Sequence, residues 1–505
     1  MKVILAGYNL DTSVINELKK NNPSLQNVTP ETMSAAYARI SRDPRSVDVL
    51  RAVARSEVEK ARRSNENIIF KMGHHSVAEH AVFNFDIIGI SRLAIEEIEK
   101  FRLCSYTEKS QRYVKLEDDF LIPEEIKQAG KKDSFCATIK SQNTLYHGLY
   151  KKLKPYFFEN FPDLAGNPKK HSILTGWAKE DARYCVSLAT LGQLGMTANA
   201  RNLEFLIRRL ASKDLEEIRK LNQKIYARAK KVAPSIMLFT EASDYDSKTY
   251  KNLEETAKAI TLGLDKHKNG VGKRRRDRGE HEPVRLVDHT VDGDTKLVAT
   301  LLHTSTKDPY EECLTMAEAL KAPQRKELCK TAFEHMEFFD GVLREFEHVD
   351  LTFALEISAT CFAQLKRHRM ATLTAQPYNL NLGVTVPPSI REIGAEKDFL
   401  DVIDRTEDCY KTLVDSLSMG AEYILTNAHR RRVLFKVNAR ELYHISRLRE
   451  DTTAQWDIRH VVSRMSQKAK EVMPLTFLLI GAKDSYPELY KKLFSKPPKF
   501  DPPKL

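Results

Sequence analysis

Seven cysteines are scattered through 505 residues, odd in number and without one Cys-x-x-Cys pair. That spacing excludes a zinc ribbon and a disulfide framework, so no metal site is expected and the thiols read as reduced, in a cytoplasm. No apolar run approaches the roughly 20 residues that a membrane span needs. The opening MKVILAGYNL has too short an apolar patch for a signal peptide and no small-residue cleavage site. A cytoplasmic protein with no membrane partner is the expectation. A Gly-x-Gly-x-x-Gly turn after a strand is missing too.

What is present is ordinary for a globular chain: 42% hydrophobic and 30% charged residues, enough length for two or three domains. The net charge of +12 and pI near 9.1 suit polyanions such as RNA, or phosphorylated small molecules. Part of the excess sits between Lys266 and Arg278, a stretch rich in Gly and charge. It reads as a basic linker, residues 265–282, between a first domain, 1–264, and a second, 283–505. A solvated connector and a nucleic-acid contact are both open for it.

One pattern occurs twice. Glu79-His80 leads through Phe83-Asn84-Phe85 into a helix ending Lys100-Phe101-Arg102; Glu347-His348 leads through Leu351-Thr352-Phe353 into one ending Arg367-His368-Arg369. A later block, Asn199-Ala200-Arg201-Asn202-Leu203, recurs as Asn438-Ala439-Arg440-Glu441-Leu442. Two blocks recurring in one order imply a tandem duplication, and each copy has lost something that the other keeps.

Phe83, Phe85 and Ile87, like Leu351, Phe353, Leu355 and Ile357, alternate with other residues at period two, as in a strand with one buried face. Val284–Asp288 reads as the strand that opens the second half, and Met1–Leu5 as the matching opening of the first. Ser91 and Ser358 stand as N-caps of helices reaching Phe101 and Arg369; Asn199 and Asn438 stand as caps of helices carrying Leu203, Ile207, Leu210 and Leu442, Ile445, Leu448. Long helices with a few strands, and no regular β-α-β alternation, predict an α+β fold of two repeated domains, each with long helices on a small sheet.

The segment Arg102 to Tyr113 reads as a short polar loop bearing Ser105, Glu108, Ser110, Gln111 and Arg112. A guanidinium fork and hydroxyls could grip a phosphate there; a salt-bridged surface turn would look the same. Arg367-His368-Arg369 can be cations placed at the negative end of a helix dipole, or a triad for a cofactor phosphate or an electron-rich ring.

Gly73-His74-His75-Ser76-Val77-x-Glu79-His80, followed by Phe83-Asn84-Phe85 and Gly89-Ile90-Ser91-Arg92, resembles the flavin-dependent thymidylate synthases. Their signature Arg-His-Arg-x-x-Ser-x-Asn-Glu-x-Ser-x-Arg-Tyr appears as Lys100-Phe101-Arg102-x-x-Ser105-x-Thr107-Glu108-x-Ser110-x-Arg112-Tyr113, matching at six of nine specified positions. The second copy keeps Gln364 and Arg367-His368-Arg369, but its loop has become Thr372, Thr374, Ala375, Pro377 and Asn379. Arg183 lies sixteen residues before Asn199, as a family arginine does, and Glu422 holds that place in the second copy. Asn438-Ala-Arg-Glu-Leu-Tyr-His444, Arg449 and Ala454-Gln455-Trp456 resemble the family helix, and a one-residue deletion in the first copy brings Arg209 to the position of Arg449. Family members bind FAD without a Rossmann unit, so the missing glycine motif is no objection.

The resemblance implies reductive methylation of dUMP at C5, with methylenetetrahydrofolate as methylene donor, a hydride from FAD, and NADPH to recharge the flavin. Arg209 or Arg449 would face a uracil carbonyl, and Ser110 and Arg112 would act in the nucleotide loop with Glu108 and Gln111. Arg183 and Gln364 would complete the nucleotide contacts; His74, Ser76, Arg367, His368, Arg369, Asn438, Arg440 and His444 would hold flavin. Cys104 reads as packing. Family sites lie between subunits, which implies a pseudo-dimer within the chain, a homodimer acting as a pseudo-tetramer, and one working site shared by the halves. Two alternatives stand: methylation of another pyrimidine or of uridine in RNA, and a nucleotide- or flavin-binding protein without turnover.

Overall fold

The structure, a computed structural model, describes residues 1–9, 12–22, 29–39, 45, 47–66, 75–112, 114–261, 282–417 and 420–502. It divides into two compact units, Met1–Val271 with Pro388–Thr426, and Gly272–Pro387 with Asn427–Leu505. The basic stretch Lys266–Arg278 lies outside the described residues, and no described helix is long and apolar enough to cross a membrane.

Each unit contains one four-stranded antiparallel sheet. In the first, β1 (Lys2–Tyr8), β2 (Val82–Ser91), β3 (Ser105–Glu108) and β4 (Leu191–Asn199) lie in the order β1-β2-β4-β3. In the second, β5 (Val284–His289), β6 (Asp350–Ser358), β7 (Thr372–Ala375) and β8 (Arg430–Asn438) lie in the order β5-β6-β8-β7. The alternation read from sequence is the cause: Phe83, Phe85 and Ile87 are buried, as are Leu351, Phe353, Leu355 and Ile357, while Asn84 and Asp86 face outward. The first opening strand shifts register between Leu5 and Gly7, and the second does so between Leu286 and Asp288, at the same place in the repeat.

The four caps form as their residue types dictate. Ser91 Oγ accepts from Ala94 N and Ser358 Oγ from Cys361 N, each at 3.0 Å. Asn199 Oδ1 accepts from Asn202 N at 2.9 Å and Asn438 Oδ1 from Glu441 N at 2.8 Å. Leu203, Ile207, Leu210, Leu442 and Ile445 line their cores, whereas Leu448 stays exposed.

Three expectations are corrected. The helices after Ser91 and Ser358 stop at Ile98 and Leu365, because the chain must turn to start β3 and β7. Ser105–Glu108, read as loop, is an edge strand on β4; its main chain completes the sheet ladder from Ser105↔Thr197 to Glu108↔Leu194. The segment Pro388–Thr426, expected in the second domain, belongs to the first unit. The reason is polar as well as apolar. The buried Gln142 amide donates to Thr406 Oγ1 at 2.9 Å and to Ile424 O at 3.0 Å. Ser389 Oγ donates to Asp181 at 2.6 Å, and Leu188 N donates to Leu425 O at 2.8 Å. Without these partners the groups would be buried unsatisfied.

Candidate functional site

In the first unit, the loop after β3 carries the predicted nucleotide residues. Ser110 Oγ accepts from Arg112 N at 3.1 Å, a local turn that fixes the loop. Arg112 pairs through Nε with Glu180 on the helix His171–Ala182, and Gly176 of that helix lies against the Arg112 carbonyl. Arg183 follows one turn after Glu180. Burial draws its guanidinium pKa below the ordinary value, with Glu180 opposing and Arg112 and Arg92 reinforcing the shift. Arg92 lies 3.6 Å from Glu108 at the end of β3. Gln111 is half-buried beside them. Three guanidiniums, Arg92, Arg112 and Arg183, therefore gather with the carboxylates of Glu108 and Glu180 around one short loop, and a guanidinium fork there could meet an anion.

Elsewhere in that unit the predicted residues are differently placed. Ser76 is exposed on the short helix His75–His80, and His74 lies outside the described residues. Arg209 donates to Asp246 at 3.0 Å, and Arg208 reaches the same carboxylate at 3.3 Å. The Arg209 guanidinium also lies 5.8 Å from the Phe205 ring centre. Glu97 binds Lys100, and Lys213 at 3.2 Å, while Phe101 packs edge-on against Phe205 at 5.7 Å. Cys104 is buried, as its packing role requires.

In the second unit, the turn after Ala359–Leu365 and the helix Ala439–Arg449 converge. Arg449 Nε donates to His368 Nε2 at 2.9 Å, and its Nη2 reaches the Gln364 carbonyl at 3.4 Å. An arginine can only donate, so His368 Nε2 carries the lone pair and the ring proton sits on Nδ1. His368 is 6% exposed, and burial, then Arg449, His444 and Arg367, hold it well below the usual imidazole range. It is neutral at pH 7. The Gln364 amide donates to Gln455 Oε1 at 3.2 Å. The Glu441 carboxyl lies 3.8 Å from His368 Nδ1, and burial raises it to about 7, with Arg440 opposing.

Arg440 donates to Val342 O at 2.9 Å and to Glu347 at 3.1 Å. The first unit repeats this pair as Arg201 with Glu79 at 2.6 Å. Glu347 also lines an open groove of about 440 Å³ with Thr304, Arg344, Glu345 and His348. His444 is exposed with its ring 6.1 Å from that of His368; Asn438 is spent on its cap, Arg367 is half-buried and Arg369 exposed. Among the described residues no cluster of three or more His, Cys, Asp or Glu could hold a metal ion.

The structure thus gathers Glu108, Ser110, Gln111, Arg112 and Arg183 in one unit, and Gln364, His368, His444 and Arg449 in the other. Sequence reasoning missed Glu180, Asp246 and Glu441. Glu180 stands three residues before Arg183, a helical spacing that could have drawn attention. Glu441 stands at the third position of a capped helix, where glutamate is expected on local grounds alone.

Comparison with known proteins agrees with the duplication. The family described as thymidylate synthase complementing protein matches residues 24–235 and again 285–475. The UPF0159 protein of Thermoplasma acidophilum is 23% identical over 482 residues, spanning 86% of this chain and 93% of its own length. The flavin-dependent thymidylate synthase of Clostridium tetani is 29% identical over 217 residues, 42% of this chain and 83% of its own. That of Sulfurisphaera tokodaii is 31% identical over 214 residues, 39% and 77% respectively.

Proposed function

The chain belongs to the thymidylate synthase complementing protein family, the flavin-dependent thymidylate synthases, as two tandem copies, and from that premise we propose that it methylates dUMP reductively at C5. The methylene comes from methylenetetrahydrofolate, FAD supplies the hydride when bound, and NADPH restores it. The units divide the work. Ser110, Gln111 and Arg112 of the first grip the nucleotide phosphate, with Arg183 as a further cation and Glu108 and Glu180 setting the loop. Gln364 and Arg449 of the second address the uracil, Arg449 offering its N–H groups to a carbonyl on which negative charge develops. Arg367, His368, Arg369, Asn438, Arg440 and His444 hold the flavin, and Ser76 with His74 are assigned to it by family position.

The donor chemistry of the second unit fits that cofactor. Arg367, Arg369 and Arg440 are cations of the kind an anionic dinucleotide requires, and His368 beside them is neutral and buried. The observation that carries the reading is complementary retention: the loop's guanidiniums stand in one unit, and the His368–Arg449–Gln364 cluster in the other. One productive site per chain follows.

The test is isotopic and stoichiometric. Labelled methylene from the folate should appear in free dTMP, and flavin titration should saturate near one FAD per chain. Label in RNA and not in dTMP would favour uridine methylation, and failure to take up FAD or respond to dUMP would favour a non-catalytic role. Two equal flavins per chain would end the division of labour.

A further inference from the structure

In the second unit the imidazole of His368 is contacted at both nitrogens. Nε2 accepts from Arg449 at 2.9 Å, and Nδ1, which must then carry the proton, faces Glu441 Oε1 at 3.8 Å. Such a distance is charge–dipole range rather than a hydrogen bond, close enough to favour one tautomer and one ring orientation in a dry environment. Glu441 and His368 are 8% and 6% exposed, so water competes little for either.

The duplication supplies an independent observation. In the first unit the position of His368 is Phe101, that of Glu441 is Asn202, and the aligned arginine, Arg209, is turned onto Asp246. Asn202 there uses its side chain on the Asn199 cap, donating at 2.9 Å. The carboxyl is present in the copy that has the imidazole and is missing from the copy that lacks it.

We propose that Glu441 is a positioning residue: its carboxyl holds His368 as the Nδ1–H tautomer, and His368 in turn aims the Arg449 guanidinium. Ionised or protonated, the carboxyl turns an electronegative oxygen towards Nδ1–H, and the ionised form does so more strongly. The charged and titratable groups around the pair are Arg440 beside Glu441, and Arg449, His444 and Arg367 beside His368.

The experiment uses the full chain with ¹⁵N-labelled histidine, comparing wild type, Glu441→Gln and Glu441→Leu by NMR, with His368 assigned from His368→Asn. The wild-type His368 resonances should report a neutral Nδ1–H ring, and should move as pH is carried through neutrality although the ring itself does not titrate. That movement should vanish in Glu441→Gln, which keeps an acceptor but no ionisation. His444 gives its own resonances, so its titration is read separately. In Glu441→Leu the Nε2–H tautomer or a second ring orientation should appear, and kcat should fall about tenfold with little change in KM, while Glu441→Gln recovers most of the loss. Identical pH-dependent movement of the His368 resonances in wild type and Glu441→Gln would overturn the proposal, even if Glu441→Leu failed to fold. Only the kcat arm rests on the functional reading above. A changed spectrum in a protein without turnover would sink that reading and keep this one; an unchanged spectrum with normal turnover would do the reverse.

Discussion

The two copies of one ancestral site differ most in what their charged side chains touch. In the second unit, Arg449 reaches both the His368 ring and the Gln364 carbonyl. In the first, Glu97 neutralises Lys100 and Lys213, Asp246 neutralises Arg208 and Arg209, and Phe101 with Phe205 fills with rings. The loop after the edge strand, to which the nucleotide phosphate is assigned in the proposal, shows the opposite loss. In the first unit, Ser110 and Arg112 form a turn beside Arg183. In the second, the corresponding loop is pinned by Arg431, which lies 4.6 Å from the Phe362 ring and 4.4 Å from the Tyr378 ring and donates to Gln376 O at 2.8 Å. Where Arg431 stands in β8, the first copy has Gly192, and a Cβ there would meet Ile95 at 2.7 Å. On the proposed division of labour, a charged position released from ligand binding is not left vacant. It acquires an internal partner, since a half-buried charge without one is costly.

The largest expected effect tests whether the aligned arginines have parted ways. Arg449→Ala should cut kcat by about 10²–10³-fold, the usual loss when one donor to a developing oxyanion is removed. Arg209→Ala should leave turnover within about twofold and lower stability by roughly 1 kcal/mol, as for a part-exposed pair. Equal losses in steady-state kinetics would show that both copies work. Next comes Arg112→Ala, which should weaken dUMP binding by about 10–100-fold, the worth of charge-assisted bonds of roughly 1.5–3 kcal/mol, and leave flavin uptake intact. His368→Ala should do the reverse. Calorimetry with each ligand separates them, and both variants binding both ligands normally would refute the assignments.

How much of this was legible in the sequence follows the range of the forces involved. The caps at Ser91, Ser358, Asn199 and Asn438 act within three residues, and all four form as read. The strand alternation at Phe83–Ile87 and Leu351–Ile357 is local too, and both strands form where it was read. What escaped is non-local. Ser105–Glu108 has no strong strand pattern and becomes β3 only because β4, some 90 residues later, offers a free edge. Asp246 and Glu180 meet their arginines across 37 and 68 residues. The amphipathic helix Glu396–Val414 shows in sequence that Phe399, Val402 and Ile403 must be buried, but not against which unit. Its packing in the first unit includes the buried Gln142 amide, which donates to Thr406 across 264 residues.

A smaller effect sharpens the comparison at its simplest pair, Glu97 against Gln364. Burial works to raise the Glu97 carboxyl, yet Lys100 and Lys213 more than offset it and hold it at about 2. The unfolded carboxyl titrates near its ordinary value of roughly 4.3. A folded pKa depressed below the unfolded one means stability that is complete above pH ~4.3 and is lost as pH falls towards 2. Thermal or denaturant unfolding across that window should therefore show wild type losing on the order of 1–2 kcal/mol more than Glu97→Gln, after allowance for solvent screening of the two lysines. The Gln variant carries the side chain that the second copy has kept. If its acid profile coincided with that of wild type, the lysines would not be bound to Glu97 in solution, and the first copy's site would be closed by the Asp246 pairs and the aromatic contact alone.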